Sequence, residues 1–248
     1  MHDGLREQVR QHYAAAATRN GGCCGFDSTT GVMSLGSGDP VAIADLQPGE
    51  RVLDLGSGAG PDVIRAAEQV GPDGIVWGLD MTDEMLALAR HNLADAGLRN
   101  AHFLKGEIES VPLPAESVDV VISNCVINLS TDKPAVFDEL ARVLAPGGRV
   151  AVSDIVAEDR LAPEERAERG SYCGCIAGAL SQSEFEQLLA GAGLEDVSVE
   201  FTREPAEGMH AAIIRARKPG ERSPAEPATA EPATAGPVAA AAGCCDSC

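Results

Sequence analysis

Arg51-Val-Leu-Asp-Leu-Gly-Ser-Gly-Ala-Gly60 is the stretch on which the reading of the chain turns. Val52, Leu53 and Leu55 form a short apolar run, the pattern of a buried strand. Gly56, Gly58 and Gly60 follow, and then Pro61. Proline is favoured at the first helical position because its missing N–H would have no partner there. The stretch therefore predicts a strand at 51–55, a glycine turn, and a helix over 61–70. Glycines let the chain turn sharply and let a ligand approach the backbone. The N–H groups at the start of a helix suit polar or anionic groups. A second apolar run, Ile75 to Leu79, ends in Asp80. An acid at the end of a second strand, about 20 residues past a glycine turn, is placed to bind ribose hydroxyls. The order here is Asp54-x-Gly56-x-Gly58, which differs from the dinucleotide pattern Gly-x-Gly-x-x-Gly.

Outward from this stretch the chain alternates. Strands are expected at 101–104, 118–123 and 150–153. One helix opens at Thr82 with Asp83 and Glu84 in its first turn, where acids favour the positive helix end. Another spans 134–144, closed by Pro146-Gly-Gly148. The alternation predicts an α/β, doubly wound, mostly parallel sheet with helices on both faces. Ligands of such sheets sit at the carboxyl ends of strands. Gly56, Asp80, Glu107 and Asn124 all fall at such ends, with Ile108 beside Glu107.

The flanks read differently. Leu5, Val9, Tyr13 and Ala16 recur at helical spacing over 5–19, and Tyr13 either packs in the core or covers the bound ligand. Residues 20–47 are rich in Gly and Ser and read as an irregular cap. After 160 come a charged helix at 161–169 and a helix from the capping box Ser181-Gln-Ser-Glu184 to 192. Strands at 194–201 and 209–216 are expected to form an antiparallel pair at the sheet edge. Beyond Lys218 the sequence is Pro/Ala-rich, with Glu-Pro-Ala-Thr-Ala at 226–230 repeated at 231–235. Such a tract cannot bury a core and reads as a disordered tether. The expected organisation is a helix and cysteine-bearing cap at 1–50, a ligand-binding core at 51–155, an α+β segment completing the sheet at 156–218, and the tether at 219–248.

Nineteen basic against 38 acidic residues give a net charge of −19, which argues against nucleic acid or an anionic membrane as partner. No apolar run approaches the roughly 20 residues of a membrane helix, and no signal-peptide core follows Met1. A cytoplasmic protein is expected. In that setting the eight cysteines read as ligands or redox groups rather than structural bridges.

Several segments together resemble the arsenite methyltransferases: Val52 to Gly60, Gly78-Leu-Asp-Met-Thr82, Ser123-Asn-Cys-Val-Ile-Asn-Leu129 with Asp132-Lys133, and Cys175-Ile-Ala-Gly-Ala-Leu180. The resemblance covers residues 5–218 and implies a Rossmann-like methyltransferase sheet that takes S-adenosylmethionine (SAM). Tyr13, Asp54, Gly56, Ser57, Gly58, Gly60, Asp80, Met81, Glu107, Ile108 and Asn124 would then hold that cofactor. Met81 is expected to pack on the adenine. The implied reaction methylates thiol-bound arsenite for detoxification and consumes a thiol reductant such as thioredoxin or glutathione. Soft centres choose thiolate ligands, and a thiol-bound arsenic keeps a lone pair for the methyl carbon. Holding it in line is catalysis by proximity.

The resemblance makes Cys175 an arsenic-binding cysteine and Cys23 or Cys24 the N-terminal thiol of the relay. The chain departs from the family pattern at Ser37 and at Glu207-Gly-Met-His-Ala211, where further cysteines are expected. The partner of Cys175 is left among Cys23, Cys24 and Cys173. Cys244, Cys245 and Cys248 would capture arsenite on the tether by raising its effective concentration. Cys125 reads as a small buried residue near the cofactor rather than a ligand, and His210 as structural. Two other readings stay open: methylation of a small organic acceptor, and a non-catalytic, thiol-rich metalloid-binding protein.

Overall fold

The computed structural model describes residues 2–18, 26–27, 32–33 and 38–220. In chain order the elements are α1 (His2–Thr18), β1 (Phe26–Asp27), β2 (Val32–Met33), α2 (Pro40–Ile43), β3 (Arg51–Leu55), α3 (Pro61–Val70), β4 (Ile75–Asp80), α4 (Asp83–Ala96), β5 (Ala101–Lys105), β6 (Val118–Asn124), a 3-10 turn (Ile127–Leu129), α5 (Lys133–Val143), β7 (Leu144–Ala157), α6 (Pro163–Glu168), α7 (Gln182–Gly191), β8 (Glu195–Ala206) and β9 (Met209–Arg217). Seven strands form one sheet in the order β5-β4-β3-β6-β7-β9-β8. Neighbours from β5 to β7 are parallel, and β9 is antiparallel to both β7 and β8. The doubly wound sheet and the antiparallel edge pair are as expected from the alternation.

The strands form where apolar runs must bury both faces. All of Val118 to Ser123 is buried, as are Val52 to Leu55. A parallel strand covered on both sides needs such continuous burial. The helices seal the two faces. Val63, Ala66, Ala67 and Val70 of α3 pack with Val52, Val76 and Ile122 on one side. Phe137, Leu140 and Val143 of α5, with Phe185 and Leu189 of α7, pack with Leu53, Val121 and Val152 on the other. Phe137 and Phe185 meet edge to face, 5.8 Å between ring centres. The capping box at Ser181 forms as the sequence predicts, with Glu184 accepting from the Ser181 N–H at 2.7 Å.

Two expectations change. Pro146-Gly147-Gly148 does not close a helix. It lies inside β7, which is far longer than the 150–153 run. Gly147 donates to the Lys218 carbonyl (3.1 Å) and Lys218 donates back to Gly148 (2.9 Å), so the glycines let the strand begin early beside the end of β9. β9 then pairs with β7 from Arg149↔Arg217 to Ala157↔Met209. The sheet is therefore continuous across residue 155. The charged helix is also shorter than the expected 161–169. Cys23, Cys24, Ser37, Cys244, Cys245 and Cys248 lie outside the described residues, as do most of the cap and the tether.

The N-terminal edge of the sheet is held by ion pairs, Arg51 with Asp119 at 2.9 Å and, more deeply buried, Arg149 with Glu50. Arg149 grips Glu50 through both guanidinium nitrogens at 2.7 and 2.8 Å, and also donates to the carbonyls of Ala44 and Asp45. Glu50 is 1% exposed. Removing one partner of a buried pair leaves the other charge uncompensated. Arg149→Met is expected to lower the unfolding free energy by about 3 kcal/mol, as read by urea denaturation.

Candidate active site

The strand order reverses between β3 and β6, and a cleft opens at their carboxyl ends. Its wall is built from the turn after β3, the ends of β4, β5 and β6, and one face of α1. Of the sequence-predicted cofactor residues, Tyr13, Asp54, Gly56, Ser57, Gly58, Asp80, Met81, Glu107, Ile108 and Asn124 all line it. Gly60 does not. It sits behind the wall at the start of α3 with φ +84°, where a Cβ would come within 2.6 Å of the Phe103 ring. Gly56 (φ +73°) allows a second close approach, since a Cβ there would meet Val126 at 2.4 Å.

The glycine turn differs from a phosphate cradle. The amides of Gly56 and Ser57 both donate to the Leu79 carbonyl at 2.9 Å, and that of Gly60 to the Ser57 carbonyl at 2.8 Å. The Gly58 amide donates to Asp80 at 2.9 Å. These donors are spent inside the protein, so the anion preference expected from the turn does not hold for them. Asp80 also accepts from the Thr82 N–H at 2.8 Å. The Thr82 side chain and the Met81 N–H bond it as well, so its carboxylate is held in one orientation on the cleft wall.

The charge in the cleft is negative. Burial raises Asp54 well above the ordinary carboxylate range, with Asp62 and Asp80 adding repulsion. Burial also raises Asp62 and Asp80, against hydrogen bonds that lower them. Buried carboxylates crowded in this way favour a cationic ligand. The Oγ of Ser57 and the Oδ1 of Asn124 are buried with no partner among the described residues, an arrangement that calls for a ligand group. A nucleoside carrying an ammonium and a sulfonium fits both features. Asp62 was not singled out from sequence, because an acid in the first turn of a helix ordinarily reads as a partner for the helix dipole.

α1 covers this cleft. Arg6 reaches Glu107 at 3.1 Å and Glu109 at 3.5 Å. The Tyr13 hydroxyl donates to the Cys173 carbonyl at 3.3 Å. Tyr13 therefore both lines the cleft and touches the loop that carries Cys175.

That loop, residues 171–180, is fastened over the 3-10 turn. Tyr172 donates to the Ser130 carbonyl at 3.0 Å. The amide of buried Asn128 donates to the carbonyls of Cys175 (3.1 Å) and Ile155 (2.7 Å) and to Asp154 (2.8 Å). Arg166 bonds the Ala179 carbonyl at 3.2 Å and Glu184 at 2.5 Å. Cys175 ends up buried, with its Sγ donating to the Cys125 carbonyl at 2.8 Å. Cys125 is also buried, at the end of β6, and it lines the cleft. Both cysteines hold left-handed backbone, φ +55° and +62°.

The sulfurs of Cys125 and Cys175 and a carboxylate oxygen of Asp154 all lie within 4.8 Å of one another. Cys125 belongs to the cleft and to Cys175 at once. A single cysteine at the end of an apolar strand carries no signal that distinguishes a ligand from a small core residue. Cys173 is half-buried, and burial pushes its thiol up. It is not part of this trio. Burial raises Asp154 to about 7, against backbone hydrogen bonds and Lys133. Burial lowers Lys133, while Asp154, Glu184, Glu109 and Cys175 oppose that shift. His210 bonds Glu158 at 2.9 Å and stacks on Phe201, consistent with a structural role.

A doubly wound sheet with a nucleoside cleft at its switch point, an acid ending the second strand and no phosphate cradle defines a Rossmann-like SAM-dependent methyltransferase. A family model described as a methyltransferase domain matches residues 46–193. The arsenite methyltransferase of Halobacterium salinarum is 41% identical over 86% of this chain and 66% of its own. That of Aquipseudomonas alcaligenes is 45% identical over 61% of this chain and 46% of its own. The crystal structure of an arsenic (III) S-adenosylmethionine methyltransferase from Chlamydomonas reinhardtii superposes with a TM-score of 0.58, at 33% identity over 73% of each chain. The chain belongs to the arsenite methyltransferase family of that class. It spans two thirds or less of the length of these curated relatives. No helix among the described residues is long and apolar enough to cross a membrane.

Asp80→Ala removes both oriented oxygens from the wall. It is expected to weaken S-adenosylhomocysteine binding by about tenfold or more, the scale of one hydrogen bond to a charged group, as measured by titration calorimetry.

Proposed function

We propose that this chain transfers the methyl group of SAM to trivalent arsenic held by Cys125 and Cys175, as a step in arsenic detoxification. The observation that carries the reading is the position of Cys125: its side chain lines the cofactor cleft and its sulfur lies within 4.8 Å of the Cys175 sulfur. A thiophilic centre bridging the two would face the nucleoside across one wall. The names of the relatives support the same substrate.

SAM supplies an electrophilic methyl carbon on a sulfonium. The chain's task is to present the arsenic lone pair to it and to keep water out. Asp80 and Met81 hold the nucleoside side, and Asp54 and Asp62 offset the positive charge. Tyr13 and Arg6 close α1 over the top. Asn128, Tyr172 and Arg166 fix the loop so that Cys175 stays beside Cys125. As the As–C bond forms from the arsenic lone pair, the S–CH₃ pair returns to sulfur, and no proton has to be removed from the nucleophile. The transfer itself therefore asks of the chain only that arsenic and the methyl carbon be held in line.

Arsenic is oxidised by two electrons in each transfer. Its return to the trivalent state takes a dithiol or two thiols to the disulfide, and thioredoxin or glutathione has the right chemistry. That requirement suits the reducing cytoplasm. Cys23 and Cys24 remain candidates for relaying thiol exchange into the site.

Cys125→Ser and Cys175→Ser, each assayed with labelled SAM, are expected to lower methyl transfer to arsenite by at least about a hundredfold, the scale for losing an aligned reacting group. Both should keep S-adenosylhomocysteine affinity within about twofold, less than the scale of one hydrogen bond. Full methyl transfer by either variant would remove the paired-sulfur reading, and transfer to an organic acceptor unaffected by both would favour a different substrate.

A further inference from the structure

Two sulfurs satisfy only part of trivalent arsenic. Arsenite enters as As(OH)₃. When the two cysteines replace two hydroxyls, each S–H proton leaves on a departing hydroxide as water, two As–S bonds form, and no electrons change hands. One As–OH remains, and it is polar, while much around the two sulfurs is apolar: Ile155, Ala157, Leu161, Ala179, Met209 and Ala211. A hydroxyl enclosed there needs a hydrogen-bond acceptor.

We infer that Asp154 is the third member of the arsenic site, accepting a hydrogen bond from the hydroxyl that arsenic keeps after binding Cys125 and Cys175, and so selecting inorganic arsenite over arsenicals that keep none. The inference rests on the paired-sulfur reading above. Its geometry is specific. A carboxylate oxygen of Asp154 lies within 4.8 Å of both sulfurs, and the residue is wholly buried at the step where β7 passes β6. The two oxygens are used unequally. Oδ1 accepts from the Asn128 side chain and the Ile155 N–H, both at 2.8 Å. Oδ2 accepts from the Asn128 N–H at the long distance of 3.4 Å, and the Ile127 N–H also hydrogen-bonds the carboxylate. The saturated oxygen fixes the carboxylate, and the other keeps capacity for a short O–H donor.

Asn128 thereby acts as a positioning residue. It orients Asp154 and ties the Cys175 carbonyl with the same amide group. Lys133 supplies a nearby positive charge to Asp154 and Cys175.

The test compares two arsenicals on the full-length protein without SAM. Phenylarsine oxide in water has two exchangeable hydroxyls, so it keeps none after binding two thiols, whereas arsenite keeps one. Binding is measured by equilibrium dialysis with arsenic detection, counting the component that Cys175→Ser removes. Asp154→Asn is expected to weaken arsenite binding by about tenfold or more, while phenylarsine oxide changes by less than about threefold. Equal losses for both arsenicals would make Asp154 a structural residue and overturn the inference, and so would no loss for either. Should Asp154→Asn fold poorly, infrared difference spectra of wild-type protein carrying ¹³C-labelled aspartate take its place. A carboxylate band that shifts with arsenite and not with phenylarsine oxide is the expected result, and equal or absent shifts overturn it. If Cys175→Ser and Cys125→Ser remove no arsenite binding and leave methylation intact, the paired-sulfur reading fails instead.

Discussion

The structure depends on the meeting of β3 and β6. These are neighbours in the sheet, Leu55 against Ser123, yet their chains depart in opposite directions. The Ser123 hydroxyl bonds the Leu55 carbonyl at 3.1 Å and locks the two ends together. Two parallel strands that part at the same edge cannot fill the space between their exits, so a cleft must form there. Two walls of the cleft are hung on this one seam. The glycine turn leaves β3, and Cys125 leaves β6. They also constrain each other, because Val126 occupies the volume that a side chain at position 56 would need.

Charge decides what the cleft accepts. The turn's amides are consumed by Leu79, Asp80 and Ser57, and the remaining polar surface is largely carboxylate. A dinucleotide would bring phosphates into that field and be repelled. A sulfonium nucleoside brings charge of the right sign. The difference between two glycine patterns that look alike in one dimension thus becomes a difference in where backbone hydrogens point.

Much of this was legible before any coordinates. Val52 to Gly60 and Ile75 to Asp80 announce their strands through continuous apolar runs, and their ends through glycine and acid, so the sheet and the nucleoside side of the cleft could be placed. Tyr13 could be put on a buried helical face but not over a particular neighbour. The grouping of Cys125 and Asp154 with Cys175 was not legible. Each is a single residue ending or interrupting an apolar run, and their partnership with Cys175 arises only when the loop at 171–180 folds back over Asn128. Likewise Pro146-Gly147-Gly148 carries a turn signal, and only pairing with β9 draws it into a strand.

Cys125 and Cys175 both occupy backbone that L-residues enter at a cost of about 1 kcal/mol or more, and that glycine enters freely. A selection for heat tolerance alone would drift toward glycine at both places. The sturdier descendants would retain the sheet and the nucleoside cleft while losing the two adjacent thiols. For this scaffold, then, an unstrained backbone and a pair of neighbouring thiols pull on the same two codons in opposite directions.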